Sequence, residues 1–150
     1  MRALIQEVSS SSVSISGKEV ARIGRGELIL VGFTQGDDLS TLQKMAKKIA
    51  KARIFPDESG KTNLSLSAIG GEILLASQFT LYGSLKEGNR PSFQQALAPD
   101  EARALYERFV ELMKQEFPAL QTGVFQADMR VSLTNEGPFT LLLDSKELFE

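Results

Sequence analysis

The 150-residue chain contains no histidine, no cysteine and no tryptophan. Without histidine there is no Ser-His-Asp triad and no Cys-His pair. With neither residue present, the usual zinc-ligand sets are missing and a hydrolytic zinc site is not expected. The absence of cysteine rules out a disulfide framework and fits a reducing, cytoplasmic setting. No apolar run approaches the roughly 20 residues of a membrane span, so no membrane partner is expected. The opening Met1-Arg-Ala-Leu-Ile-Gln-Glu-Val8 turns polar too soon to be a secretory signal. Walker A and Rossmann glycine patterns are also absent; Gly24-Arg25-Gly26 reads as a turn. A net charge of −2 argues against non-specific nucleic-acid binding by the whole surface, though not against a local basic patch.

What is present is an ordinary globular mixture, 42% hydrophobic and 24% charged, of a size that suits one domain over residues 1–150. The first third reads as strands. Ala3 to Val8 is apolar-rich, and Val13 to Ile23 reads as a hairpin turning at Gly17-Lys18. Glu27 to Phe33 reads as a buried strand. The serine run at 9–12 reads as a polar tether or edge segment. Asp37-Asp38 precede a helix expected over 39–52, with Leu42, Met45, Ala46 and Ile49 as its apolar stripe. Glu72 to Leu81 reads as a second buried strand, followed by a polar loop over 82–98.

Pro99, Asp100 and Glu101 suit a helix N-terminus. Ala102, Leu105, Tyr106, Phe109, Leu112 and Met113 form its stripe, and Pro118 marks its end. Strands are expected at 122–125, 129–134 and 139–144. Strand groups separated by two main amphipathic helices give an α+β class, a single β-rich domain of sheet or barrel-like form.

Three features carry chemistry, each with a plain alternative. Ser77-Gln78-Phe79-Thr80 places hydrogen-bonding side chains where an apolar strand emerges into a loop. The plain alternative is a strand end whose hydroxyls are satisfied by backbone. Gly137-Pro138 sits between two strand-like runs. It is either a trans-proline hairpin turn or a fixed, cis turn that points carbonyl oxygens at a ligand. Lys44, Lys47, Lys48, Lys51 and Arg53, with Lys86 and Arg90 in the long loop, form either a solvated surface or a phosphate-tracking patch.

These motifs, with Arg53-Ile-Phe55, Gly70-Gly-Glu-Ile-Leu74, Arg90-Pro-Ser-Phe93, Thr122-Gly-Val-Phe125 and Ala127-Asp-Met129, resemble the D-aminoacyl-tRNA deacylase family over essentially the whole chain. Ser77-Gln-Phe-Thr80 and Asn135-Glu-Gly-Pro-Phe-Thr140 match its two signatures. The resemblance implies a homodimer that hydrolyses the ester of D-aminoacyl-tRNA, and of glycyl-tRNA, without metal or organic cofactor. It implies reaction-centre roles for Ser77, Gln78, Phe79 and Thr80. It also implies a cis Gly137-Pro138 that crosses to the other subunit's site and rejects L-amino acids. Lys44, Lys47, Lys48, Lys51, Lys86 and Arg90 are the candidate tRNA contacts. Two other readings share these motifs: a non-catalytic tRNA-binding or dimerisation module, and an editing enzyme for an L-amino acid. The family has a basic residue directly after the opening Gln as support for the Gly-Pro turn; here that position is Glu7. Asn89 and Glu136 are further departures.

Overall fold

The computed structural model describes residues 1–150. Its spine is β1 (Arg2–Ile15), which turns through Ser16 and Gly17 into β2 (Lys18–Ile23) and is followed by β3 (Gly26–Gly32). Ser16 and Gly17 both have positive φ, the backbone a tight hairpin demands, and only the glycine adopts it without steric cost. After α1 (Leu39–Lys51), β4 (Phe55–Pro56) and β5 (Thr62–Leu64) form a small separate ribbon. Then come β6 (Glu72–Ser77), a 3₁₀ turn at Phe79–Tyr82, α2 (Pro99–Glu116), β7 (Gln121–Thr122), β8 (Arg130–Asp144) and a short α3 (Ser145–Phe149).

The main sheet runs β2-β1-β3-β6-β7, with β8 on the other edge of β1. The β1–β3 and β1–β8 pairs are antiparallel, whereas β3–β6 and β6–β7 are parallel. β2 folds back close to β6 and β7, so the sheet curls toward a barrel. Alternation along the strands splits the buried residues between two faces. Ala3, Ile5, Ile29, Val31, Ile73 and Leu75 face the helices and meet Leu42, Met45, Ile49, Phe109 and Met113. Val8, Val13, Ala21, Ile23, Leu28 and Leu74 form a smaller core on the opposite side.

Both long helices follow their sequence signals. Asp38 caps α1, its carboxylate accepting from the Thr41 N–H at 2.8 Å, and Pro99 occupies the first turn of α2. The α1 stripe is buried as expected; on α2, Leu105 is only half-buried.

Four readings need correction. The serines at 9–12 are neither tether nor edge: they lie inside β1, where Ser11 and Ser12 pair with both β2 and β8 and are buried. The Ser11 hydroxyl donates to the Ser132 carbonyl at 2.8 Å, which makes a polar residue tolerable there. The strand expected over 72–81 stops at Ser77, because the chain tightens into the 3₁₀ turn. The strand expected at 122–125 is only the two-residue β7. Residues 129–134 and 139–144 do not form a hairpin; both belong to the single strand β8, and the turn between them is a bulge on it.

Candidate active site

β3 and β6 run parallel and end side by side at Gly32 and Ser77. Beyond Ser77 the chain must leave the sheet. The Gln78 N–H still donates to the Val31 carbonyl at 2.7 Å, and the 3₁₀ turn then lies across the end of β3. Gly32 makes this close approach feasible, since a Cβ there would fall 2.8 Å from the Gln78 carbonyl oxygen. The turn's own bonding starts at Leu81 N–H to Gln78 carbonyl, so the Phe79 and Thr80 N–H groups have no acceptor within it. They are two adjacent donors at the mouth of a strand end.

A cavity of about 730 Å³ opens at this corner. Ser77, Gln78 and Phe79 form one wall; Leu30, Phe93, Leu97, Phe125 and Met129 are among the larger apolar side chains of the remainder. Phe79 and Phe93 meet edge to face with ring centres 5.0 Å apart. The far wall is braced from α2: Arg103 donates to Gln126 at 2.9 Å and stacks over Phe125, and Tyr106 lies 5.5 Å from the same ring. Gly123 lets this loop close on itself, because a Cβ there would meet the Met129 sulfur at 2.7 Å.

Thr80 stands at the edge of this corner, outside the lining. It is exposed, and its hydroxyl oxygen accepts a 2.5 Å hydrogen bond from the Gln78 amide. No three Asp or Glu side chains converge on a metal-binding arrangement.

Gly137 and Pro138 do not line this cavity in their own chain. β8 pairs Thr140 with Gln6 and Asn135 with Val8, so residues 136–139 stand out as a bulge. The base of the bulge is closed internally. Asn135 donates its amide to the Thr140 hydroxyl at 2.8 Å and accepts from the Phe139 N–H at 3.0 Å. The Gly137–Pro138 peptide is cis, as the signature implied, and Gly137 has φ +116°, which L side chains rarely adopt.

The basic residues separate into two sets. Lys44, Lys47, Lys48 and Lys51 line a shallow concavity with Phe149, and the Lys44 ammonium lies 5.9 Å from that ring. Lys86 and Arg90 are exposed on the loop between Tyr82 and α2. Arg53 is committed elsewhere, donating to the Asn63 carbonyl at 2.7 Å and to the Asn63 side chain.

The family described as D-Tyr-tRNA(Tyr) deacylase matches residues 4–144. The chain belongs to that family. Relatives named D-aminoacyl-tRNA deacylase include one from Clostridium acetobutylicum, 50% identical over 99% of this chain and 100% of its own length. Another, from Lactobacillus acidophilus, is 54% identical over 96% and 99%. Among solved structures, one titled c-Myc DNA Unwinding Element Binding Protein aligns with TM-score 0.91 at 36% identity, covering 96% of this chain and 98% of that one. A probable eukaryotic D-amino acid tRNA deacylase shares the fold, with TM-score 0.84 at 20% identity. The deacylase relatives match this chain nearly end to end, and the chain is a hydrolase of that family.

The Ser77–Thr80 corner and the Gly-Pro bulge were accessible to motif reading. Phe93, Leu97, Phe125 and Met129 were not assigned to a site, because they come from separate segments that converge only in the fold. For Phe93, Phe125 and Met129 the sole sequence signal was family likeness at Arg90–Phe93, Thr122–Phe125 and Ala127–Met129; Leu97 carried none.

Proposed function

We propose that the protein hydrolyses the ester of D-aminoacyl-tRNA, and of glycyl-tRNA, releasing the free amino acid and tRNA. The observation that carries this reading is the pair of N–H groups, on Phe79 and Thr80, left without an acceptor inside the 3₁₀ turn at the rim of the Ser77–Phe79 cavity wall. Ester hydrolysis builds negative charge on the carbonyl oxygen, and preorganised backbone donors stabilise it, with one such donor worth about 3–4 kcal/mol in the transition state. The ester is already activated. The ribose hydroxyl next to it supplies the activator of water, which accounts for a site without histidine.

Stereochemical selection falls to the Gly137-Pro138 bulge. Its carbonyl oxygens accept from the substrate's ammonium group and fix the substituents of the α-carbon. A D side chain then points outward, an L side chain strikes the protein, and glycine has nothing to strike. Since the bulge stands apart from its own chain's cavity, it serves the site of a second copy in a homodimer. Lys44, Lys47, Lys48 and Lys51 on α1, with Lys86 and Arg90, contact tRNA phosphates, so affinity falls as salt rises.

The test is ester loss from D-tyrosyl-tRNA and L-tyrosyl-tRNA by the pure protein, with chelator present. Rapid loss of the D ester alone is expected. Equal rates, or none, overturn the reading; activity abolished by chelator overturns its cofactor-free part.

A further inference from the structure

The helix-facing side of the β1–β3 pair is a ladder of matched side chains. Ala3 stands opposite Val31 and Ile5 opposite Ile29, and the next rung is Glu7 opposite Glu27. Two carboxyls thus occupy a rung where the pattern calls for an apolar pair. Glu27 is fully buried and neither of its carboxyl oxygens has a partner; Glu7 is 8% exposed. On the far side of Glu27 the β6 partner is Ile73, which offers no side-chain donor. On the far side of Glu7, β8 has no matched residue, for this is the position at which residues 136–139 bulge away. Two further charged groups act on Glu7: Arg25, just ahead of β3, favours its ionised form, and Glu136, in the bulge, opposes it. Arg25 lies over the Phe55 ring and makes no ion pair with either carboxyl.

A buried carboxylate without a donor is strongly disfavoured, and two side by side cannot both be ionised. One bound proton resolves both problems, because a carboxylic acid can donate to its neighbour's carboxylate. We propose that Glu7 and Glu27 form a one-proton carboxyl pair, with the proton on Glu27, which joins β1 to β3 directly behind the Gly137-Pro138 bulge and positions it. These are positioning residues; neither lines the cavity.

The electrostatics agree with the geometry. Burial, reinforced by the Glu7 charge, pushes Glu27 up to about 8. Burial also raises Glu7, with Arg25 opposing and Glu136 assisting. Both groups hold their proton more tightly folded than unfolded. Their contribution is therefore fully present below the ordinary carboxyl range and declines as pH rises toward about 8, where Glu27 ionises in the folded state. Across that window the folding equilibrium constant loses about tenfold per pH unit on account of Glu27.

The experiment compares wild type with Glu27→Gln, which keeps the shape and a donor but cannot ionise, and with Glu7→Gln. Between about pH 6 and about pH 8 the wild type should lose folding stability relative to Glu27→Gln, and Glu7→Gln should weaken that slope. At neutral pH, infrared difference spectra should show a protonated-carboxyl band that disappears in Glu27→Gln and persists in Glu136→Gln. Because the positioning role rests on the deacylase reading, D-over-L selectivity is measured in parallel. It should fall further in the wild type than in Glu27→Gln as pH passes about 8, the loss common to both proteins coming from the substrate's own ammonium group. Parallel stability curves, or no band lost in Glu27→Gln, overturn the carboxyl pair. A band with the same pH dependence of selectivity in both proteins overturns its positioning role. Absence of any deacylation would sink the proposed activity while leaving the infrared and stability tests of the pair decisive.

Discussion

Thr80 is the side chain most open to being taken for a nucleophile. Its one side-chain hydrogen bond comes from the Gln78 amide, a group that cannot accept the hydroxyl proton. A threonine with no base is a poor nucleophile, and the proposed mechanism asks only its backbone N–H to donate. Thr80→Ala and Thr80→Ser should therefore both keep activity within about tenfold of wild type, since the oxyanion donors remain. Trapping an acyl-threonine on the wild-type protein would overturn this. Gly137 is different, because the role proposed for it rests on its backbone. At φ +116° an added Cβ would sit 3.1 Å from the Phe139 nitrogen, so Gly137→Ala must reshape the bulge. That strain costs about 1–3 kcal/mol, borne locally. D-over-L selectivity should fall, and the midpoint of thermal unfolding should drop by roughly 2–4 °C for each kcal/mol of that strain. Preserved selectivity with the turn unchanged would remove the bulge from the account. Neither role could be read from Thr80 or Gly137 alone: one depends on what its hydroxyl touches and the other on where the strand register breaks.

At the scale of elements, the helices and inner strands were legible and the site's surroundings were not. Asp38 with the Leu42–Ile49 stripe, and Pro99 with the Ala102–Met113 stripe, are local signals, and local signals survive into the fold. The turn at Phe79–Tyr82 is not of this kind. Phe79 and Leu81 continue an apolar pattern that reads as strand, yet Gly32 and the end of β3 redirect the chain. A second, nonlocal constraint holds that turn in place. Arg2 donates from Nη1 to the Leu81 carbonyl and from Nε to Asp144, both at 2.8 Å, and stacks 4.6 Å over Tyr82. Burial pushes the Asp144 carboxyl up, but the Arg2 guanidinium and the Lys146 N–H outweigh it and hold the group below its usual range. The clamp ties the start of β1 and the end of β8 to the turn that carries the Phe79 and Thr80 donors. Arg2→Met should cost about 1–3 kcal/mol of stability through the unpaired Asp144 and the lost hydrogen bonds. It should also lower kcat by about tenfold or more with a smaller change in KM, because misaligned donors fail chiefly in the transition state. Arg2→Lys should recover part of the stability and little of kcat, since an ammonium cannot bridge both acceptors in a planar fork. Equal kcat in all three proteins would show that the clamp is structural only.

For the whole molecule, the arrangement of β8 connects the two signatures. It is a 15-residue strand paired on one edge alone, and it presents Leu133, Leu141 and Leu142 at 37–50% exposure. A long edge of this kind is normally covered. Its bulge carries Gly137-Pro138 on a strand whose own cavity is lined by other residues. A shared site in a homodimer accounts for both facts, and subunit mixing tests it. Phe79→Glu places a carboxylate where negative charge must develop, so it should abolish catalysis; Gly137→Val should deform the bulge. If the bulge acts across the dimer, a mixed dimer of the two variants has one site with both lesions and one with neither. Coexpression should then restore D-selective hydrolysis that neither homodimer shows. If the bulge serves its own chain, every site in the mixed dimer keeps one lesion and no selective activity returns. Sedimentation measured alongside should give twice the 16.4 kDa chain mass, and a single-chain mass at assay concentration would dispose of the shared site outright.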